Sequence, residues 1–109
     1  MIKENGDKKT VYSVTQITRA VRARIEAGFQ HVWVEGEISN LTKHSSGHMY
    51  FTLKDENAQL SVVMFRTYNQ RLTFRIADGM KIVVFGKISV YEKKGSYQIY
   101  AEVAEPKGI

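Results

Sequence analysis

The chain has 109 residues, 43% of them hydrophobic and 25% charged, enough for one modest core and a single domain. No run approaches the ~18 apolar residues of a membrane helix; Met1–Lys9 lacks the apolar stretch of a secretory signal, and zero cysteines exclude disulfides, Cys-based zinc sites and thiol nucleophiles, so a reducing cytoplasmic setting is expected. A net charge of +5 points to a polyanionic partner, and the excess is local: residues 40–100 carry nine Lys/Arg against four Asp/Glu.

Residues 1–10, with KENGDKK at their centre, show no periodicity and read as a flexible tail. Ser13 followed by Gln16 forms a capping box, and Tyr12 and Ile17 occupy the positions of a hydrophobic staple, which predicts a helix N-terminus. Val14, Ile17, Val21 and Ile25 then recur on one face, so an amphipathic helix is expected over Val14–Ala27, with Gly28 suited to a left-handed C′ position.

Beyond the helix the period changes from about 3.6 to 2. Val32, Val34, Gly36 and Ile38 alternate with Trp33, Glu35, Glu37 and Ser39 in a first strand; Met49, Phe51 and Leu53 alternate with Tyr50, Thr52 and Lys54 in a second. Asp55-Glu56-Asn57 is a turn, and Leu60, Val62 and Met64 alternate with Ser61, Val63 and Phe65 in a third strand, completing a hairpin. Thr67–Ala77 breaks the alternation and has room for a short helix, closed by the Asp78-Gly79 turn. Ile82, Val84, Gly86, Ile88 and Val90 define a fourth strand, Glu92–Gly95 a turn, and Tyr97, Ile99, Ala101 and Val103 a fifth strand. Residues 105–109 read as the start of a linker, leaving residues 11–104 as the domain.

The fold class is therefore mainly β: a five-stranded OB-fold barrel preceded by one amphipathic helix, with strands split three and two around the irregular connection. Gly36 and Gly86 inside long strands suit barrel corners. The pattern alone also admits an SH3-like barrel or an open sheet, whose free edge strand could pair between chains.

If the aliphatic sets face the core, Tyr50, Thr52, Lys54, Ser61, Val63 and Phe65 line the opposite face, which is unusually aromatic for a solvated surface. On OB-folds this face and the loops beside it bind single strands: bases stack on aromatics and phosphates meet cations. One loop supplies Lys43, His44, Ser45, Ser46, Gly47 and His48, the other Lys93, Lys94 and Gly95 between Tyr91 and Tyr97, and Arg66, Arg71 and Arg75 follow strand three. The plainer reading is that Tyr50 and Phe65 cover a packed helix while the cations are ordinary solvated residues. His44 and His48 lack a third ligand nearby for zinc, and Glu35 with Glu37 are too few carboxylates for a two-metal nuclease. No catalytic residue, metal or cofactor is expected, and nothing in these residues separates DNA from RNA.

Three stretches carry a resemblance: Tyr12-Ser13-Val14, Val32 through Asn40, and His44-Ser45-Ser46-Gly47-His48 continuing through Tyr50 to Asp55. With Met64-Phe65-Arg66, Asp78-Gly79-Met80 and Tyr91 to Gln98, they closely resemble the N-terminal domain of the bacterial exodeoxyribonuclease VII large subunit, from Tyr12 to Pro106. The resemblance implies an enzyme that degrades single-stranded DNA to oligonucleotides and is built from one large and several small subunits. Within it this domain would grip single-stranded DNA, while a catalytic region beyond the linker would cut. The alternative is a protein-interaction or assembly domain that touches DNA only secondarily.

Overall fold

The computed structural model describes residues 9–108, so most of the expected tail lies outside the described residues. Its elements are α1 (Val14–Gly28), β1 (Val32–Lys43), β2 (Met49–Lys54), β3 (Gln59–Met64), α2 (Arg66–Asn69), β4 (Lys81–Tyr91) and β5 (Ser96–Pro106). The strands close into a barrel in the order β1-β2-β3-β5-β4. Neighbours pair antiparallel except β3 and β5, which run parallel with Ser61, Val62 and Val63 opposite Gln98, Ile99 and Tyr100. Closure excludes the open sheet, and among the described residues it leaves no edge strand to pair between chains.

The alternation does its expected work in the core. Ile38, Val62, Met64, Ile82, Val84 and Ile99 are fully enclosed, with Phe51 and Leu53 beside them. β1 runs four residues further than the alternation indicates, through a register shift between Ser39 and Thr42 where Asn40 takes a left-handed φ of 55°. The Leu41 N–H in this irregularity is satisfied by the Asp78 carboxylate, 3.0 Å away, so the Asp78-Gly79 turn braces the bend.

Gly86 marks the sharpest approach of two strands. A Cβ there would lie 2.1 Å from the Tyr100 carbonyl oxygen, and the β4–β5 register shifts at this point. Ile99 and Ala101, before the shift, point inward; beyond it the faces exchange, so Ala104 points inward whereas Val103, expected in the core, is exposed. Tyr97, at the start of β5, is exposed. β5 extends through Glu105 and Pro106, which pair with Val83 and Ile82, so these two residues belong to the sheet and not to a linker.

α1 carries the expected capping box: Ser13 Oγ accepts from the Gln16 N–H at 3.0 Å, and Gln16 Oε1 accepts from the Ser13 N–H at 2.9 Å. Its end differs from expectation, because Gly28 is the last helical residue without a left-handed φ and Phe29 caps the helix through its N–H to the Ile25 carbonyl. No residue of α1 is buried, and of the apolar stripe only Ile25 packs against the core. Polar contacts to β4 and its turn hold the helix instead. Arg22 bonds Glu26 and Glu92 at 3.0 and 2.8 Å, and Ser89, itself buried, donates to Glu26.

Candidate nucleic-acid interface

Sheet register fixes which side chains share the outer face. Tyr50 on β2 stands opposite Val63 on β3, Val63 opposite Tyr100 on β5, and Tyr100 opposite Lys87 on β4. The next row is Thr52, Ser61, Gln98 and Ser89. Val63 points away from the core yet is buried, which places it as the floor between two tyrosines. Over that floor runs a groove of about 470 Å³ lined by Tyr50, Ser61, Phe65, Tyr91, Lys94, Ser96, Gln98 and Tyr100.

The aromatic rings form two linked groups. Phe65 stacks on Tyr100 at 5.7 Å and 28°, and His48 meets Phe65 edge-on at 5.1 Å; His44 lies over Tyr50 at 4.4 Å. His48 is also fixed by its neighbour, because its Nδ1 accepts the Arg66 N–H at 3.0 Å. That bond leaves Nε2 as the protonated nitrogen of the neutral ring, a donor at the groove rim. Phe65, placed in strand three by its alternation, instead lies just beyond β3 as the residue preceding α2.

The loop between β1 and β2 is held from beneath. Asn69, the single buried residue of α2, donates its amide to the carbonyls of Gly47 and Met64 at 2.8 and 3.1 Å. Gly47 takes φ 91°, and an added Cβ there would lie 2.9 Å from the Arg66 side chain. The polar centre of the groove is a second fixed pair: the Gln98 amide donates to the Tyr100 hydroxyl at 2.7 Å, which leaves that O–H free to donate onward.

The structure brings Tyr50, Phe65, Tyr91 and Lys94 to one groove, with His44 and His48 on its rim. Lys43 ends β1 and Lys93 sits in the β4–β5 turn, both exposed. Arg66 is exposed beside Gly47. Four other expected residues lie elsewhere. Tyr97 faces α1, in a cleft with Ile17, Val21 and Ile25. Lys54 lies at the other end of the barrel among Glu35, Glu37, Asp55 and Glu56. Arg71 covers the Tyr68 ring at 5.8 Å behind α2, and Arg75 follows on the exposed connection. Tyr100 and Gln98 were not expected, since β5 was read from the alternate set that starts at Tyr97; their signal was the alternation itself, once β5 is known to lie beside β3. Among the described residues no group of three or more His, Cys, Asp or Glu could hold a metal ion, and no helix is long and apolar enough to cross a membrane.

Comparison with known proteins agrees with this geometry. Residues 12–105 match the family described as OB-fold nucleic acid binding domain. The chain is 53% identical over 104 residues to the exodeoxyribonuclease 7 large subunit of Bacillus cytotoxicus, covering 94% of this chain and 23% of that protein. It is 50% identical over 102 residues to the subunit of the same name from Geobacter metallireducens, again covering 94% of this chain and 22% of the relative. The chain thus spans less than a quarter of the length of these relatives. Among solved structures it is similar to a chain of the S. pombe Stn1–Ten1 complex, with TM-score 0.61 and 19% identity over 73% of this chain and 60% of that one. It is also similar to a chain of a replication protein A heterotrimer bound to single-stranded DNA, with TM-score 0.57 and 13% identity over 71% of this chain and 57% of that one. At these identities the two structures establish the shared fold.

Proposed function

The chain belongs to the OB-fold nucleic acid binding domain family, and we propose that it is the single-stranded DNA-gripping part of a cytoplasmic exodeoxyribonuclease. The observation that carries this reading is the groove in which Tyr50, Phe65, Tyr91 and Tyr100 surround the buried Val63 with Lys94 at its edge. Aromatic faces accept any unpaired base, each stacking contact contributing about 1–3 kcal/mol. Paired bases cannot reach such faces, so the groove selects single strands over duplex.

In this reading the rings hold bases, while Lys43 at the end of β1, Arg66 at the start of α2, and Lys93 and Lys94 in the β4–β5 turn meet phosphates. The tyrosine hydroxyls and the Gln98 amide offer hydrogen bonds that do not need one particular base. The hydrolytic step belongs to the remaining length of the large subunit, and small subunits complete the enzyme. This domain contributes affinity and keeps the strand in place while it is cut.

The test is fluorescence anisotropy of a labelled oligonucleotide at two salt concentrations, with duplex of equal length as competitor. The expected result is preference for the single strand and a slope of log K against log salt near −3, at roughly −0.7 for each of about four phosphates. Equal competition by duplex, or a flat salt response, would refute the reading.

The exposed stripe of α1 favours a second role beside it. Val14 is 82% exposed and Val21 44%, and with Tyr97 they present an apolar surface away from the groove. That surface suits assembly with other parts of the enzyme. Val21→Glu would then alter association in sedimentation while leaving oligonucleotide affinity unchanged.

A further inference from the structure

A second aromatic platform lies outside the groove, on the outer face of β1 and β4. Trp33 stands opposite Phe85, and Phe85 opposite Val103, so three outward apolar side chains cross three strands in one row. Trp33 is 54% exposed and Val103 40%. Trp33 and Phe85 meet at 4.9 Å and 46°, and His31 stacks on Phe85 at 6.0 Å and 11°. An exposed indole, an imidazole and a phenyl ring held side by side make a stacking surface of the same chemistry as the groove.

The two aromatic surfaces are joined. Lys87 is opposite Tyr100 across the β4–β5 ladder, and Phe85 is the next outward residue along β4. Phe65, Tyr100, Lys87 and Glu102 line one cleft of about 250 Å³, whose far wall is α1 through Arg22 and Glu26. The Lys87 side chain is exposed and makes no ion pair or hydrogen bond among the described residues. Glu35 and Glu105 share the next outward row beyond the platform, across Val83, and Glu35 is engaged by Lys107. A cation therefore stands where the two platforms meet. At ~4.8 Å between strands, Trp33 lies about 10 Å around the barrel from Tyr100.

Resting on the single-strand reading above, we infer that Trp33, Phe85 and His31 form a second base-stacking site, onto which a strand leaving the groove continues past Lys87. The bound path then runs from β2 across β3, β5 and β4 to β1, and the number of nucleotides held exceeds what the groove alone accommodates. Short oligonucleotides fill the groove; longer ones also reach the platform.

Trp33 is the single tryptophan of the chain, so its emission reports this site directly. The experiment titrates the protein with oligothymidylates of about 4 to 16 nucleotides, the range of OB-fold site sizes, following label anisotropy and tryptophan emission together. The expected result is binding of the shortest strands without change in emission, then quenching once length passes a threshold. Phe85→Ala is expected to weaken the longest strands at least about fivefold, the lower end for one lost stacking contact, and to leave the shortest unchanged, which also shows that the variant is folded. Strands that bind at every length without quenching, with Phe85→Ala neutral, would overturn the second site and leave the groove reading intact. Emission that shifts on dilution of the protein alone would assign the platform to self-association and overturn the inference. Absence of binding at every length would instead refute the groove reading on which the inference rests.

Discussion

At the scale of single residues, two tyrosines whose positions in the chain look alike have different surroundings. Tyr97 and Tyr100 are both on β5, but one faces α1 and the other stacks on Phe65 over the groove. Tyr100→Ala is expected to weaken single-strand binding by about 1–3 kcal/mol in anisotropy titrations, while Tyr97→Ala leaves it unchanged. Asn69 acts from below. Removing its amide in Asn69→Ala leaves the Gly47 and Met64 carbonyls without their donor, so urea unfolding should report a loss of about 1–3 kcal/mol and the 44–48 loop should gain mobility in amide exchange. Tyr50 and Phe65 were legible in the sequence because period-2 alternation assigns a face. Tyr100 was not, because its value depends on which strand lies beside β5, and alternation carries no information on pairing order.

At the scale of elements, α1 shows how a helix can be plain in sequence and unexpected in packing. The Ser13/Gln16 capping box announces its start to the residue. The stripe of Val14, Ile17, Val21 and Ile25 predicts burial, yet most of it faces solvent and the contacts that fasten the helix are polar. The hydrogen bond from Ser89, then that from Arg22, lowers the Glu26 pKa; the hydrogen bond from Arg22 lowers that of Glu92, and the same carboxylates raise that of Arg22. Both carboxylates are more acidic in the docked helix than free. Their contribution is therefore complete above the ordinary glutamate range near pH 4.5 and is lost as pH falls through the lowered values. Amide exchange or proteolysis within α1 is expected to rise on acidification before the barrel itself unfolds, and Glu26→Gln should bring this loosening to neutral pH. The strands divide in the same way. Their existence followed from periodicity, but the extension of β1 to Lys43 and the shift at Gly86 depend on irregular pairings that a regular alternation does not encode.

At the scale of the whole molecule, five strands, one amphipathic helix and a short second helix could be read from order and periodicity, and the two-halves arrangement indicated the barrel. What the residues could not specify was the closing contact. β3 and β5 meet in parallel, Ser61 with Gln98 and Val63 with Tyr100, across the whole of α2 and β4. This pairing also assembles the aromatic groove, since it brings Tyr100 beside the hairpin that carries Tyr50. The cations around the groove are distributed over both halves of the chain, which is why composition indicated a polyanion and only the fold indicated where it would lie.

The parallel β3–β5 contact has a kinetic consequence. Local hairpins can form as soon as their two strands exist, whereas this pairing must close a loop of nearly forty residues before any ladder bond offsets the lost chain entropy. Barrel closure should therefore govern the folding rate, in the millisecond-to-second range of domains rich in distant contacts, and stopped-flow refolding is expected to slow when Val62 or Ile99 is shortened to Ala if their contact belongs to the folding nucleus. During synthesis β1, β2 and β3 emerge first, with the outer margin of β3 unpaired until β5 arrives. For that interval the nascent chain presents an unprotected hydrogen-bonding edge, and its safety rests on the time the ribosome takes to deliver the forty or so residues from the end of β3 through β5.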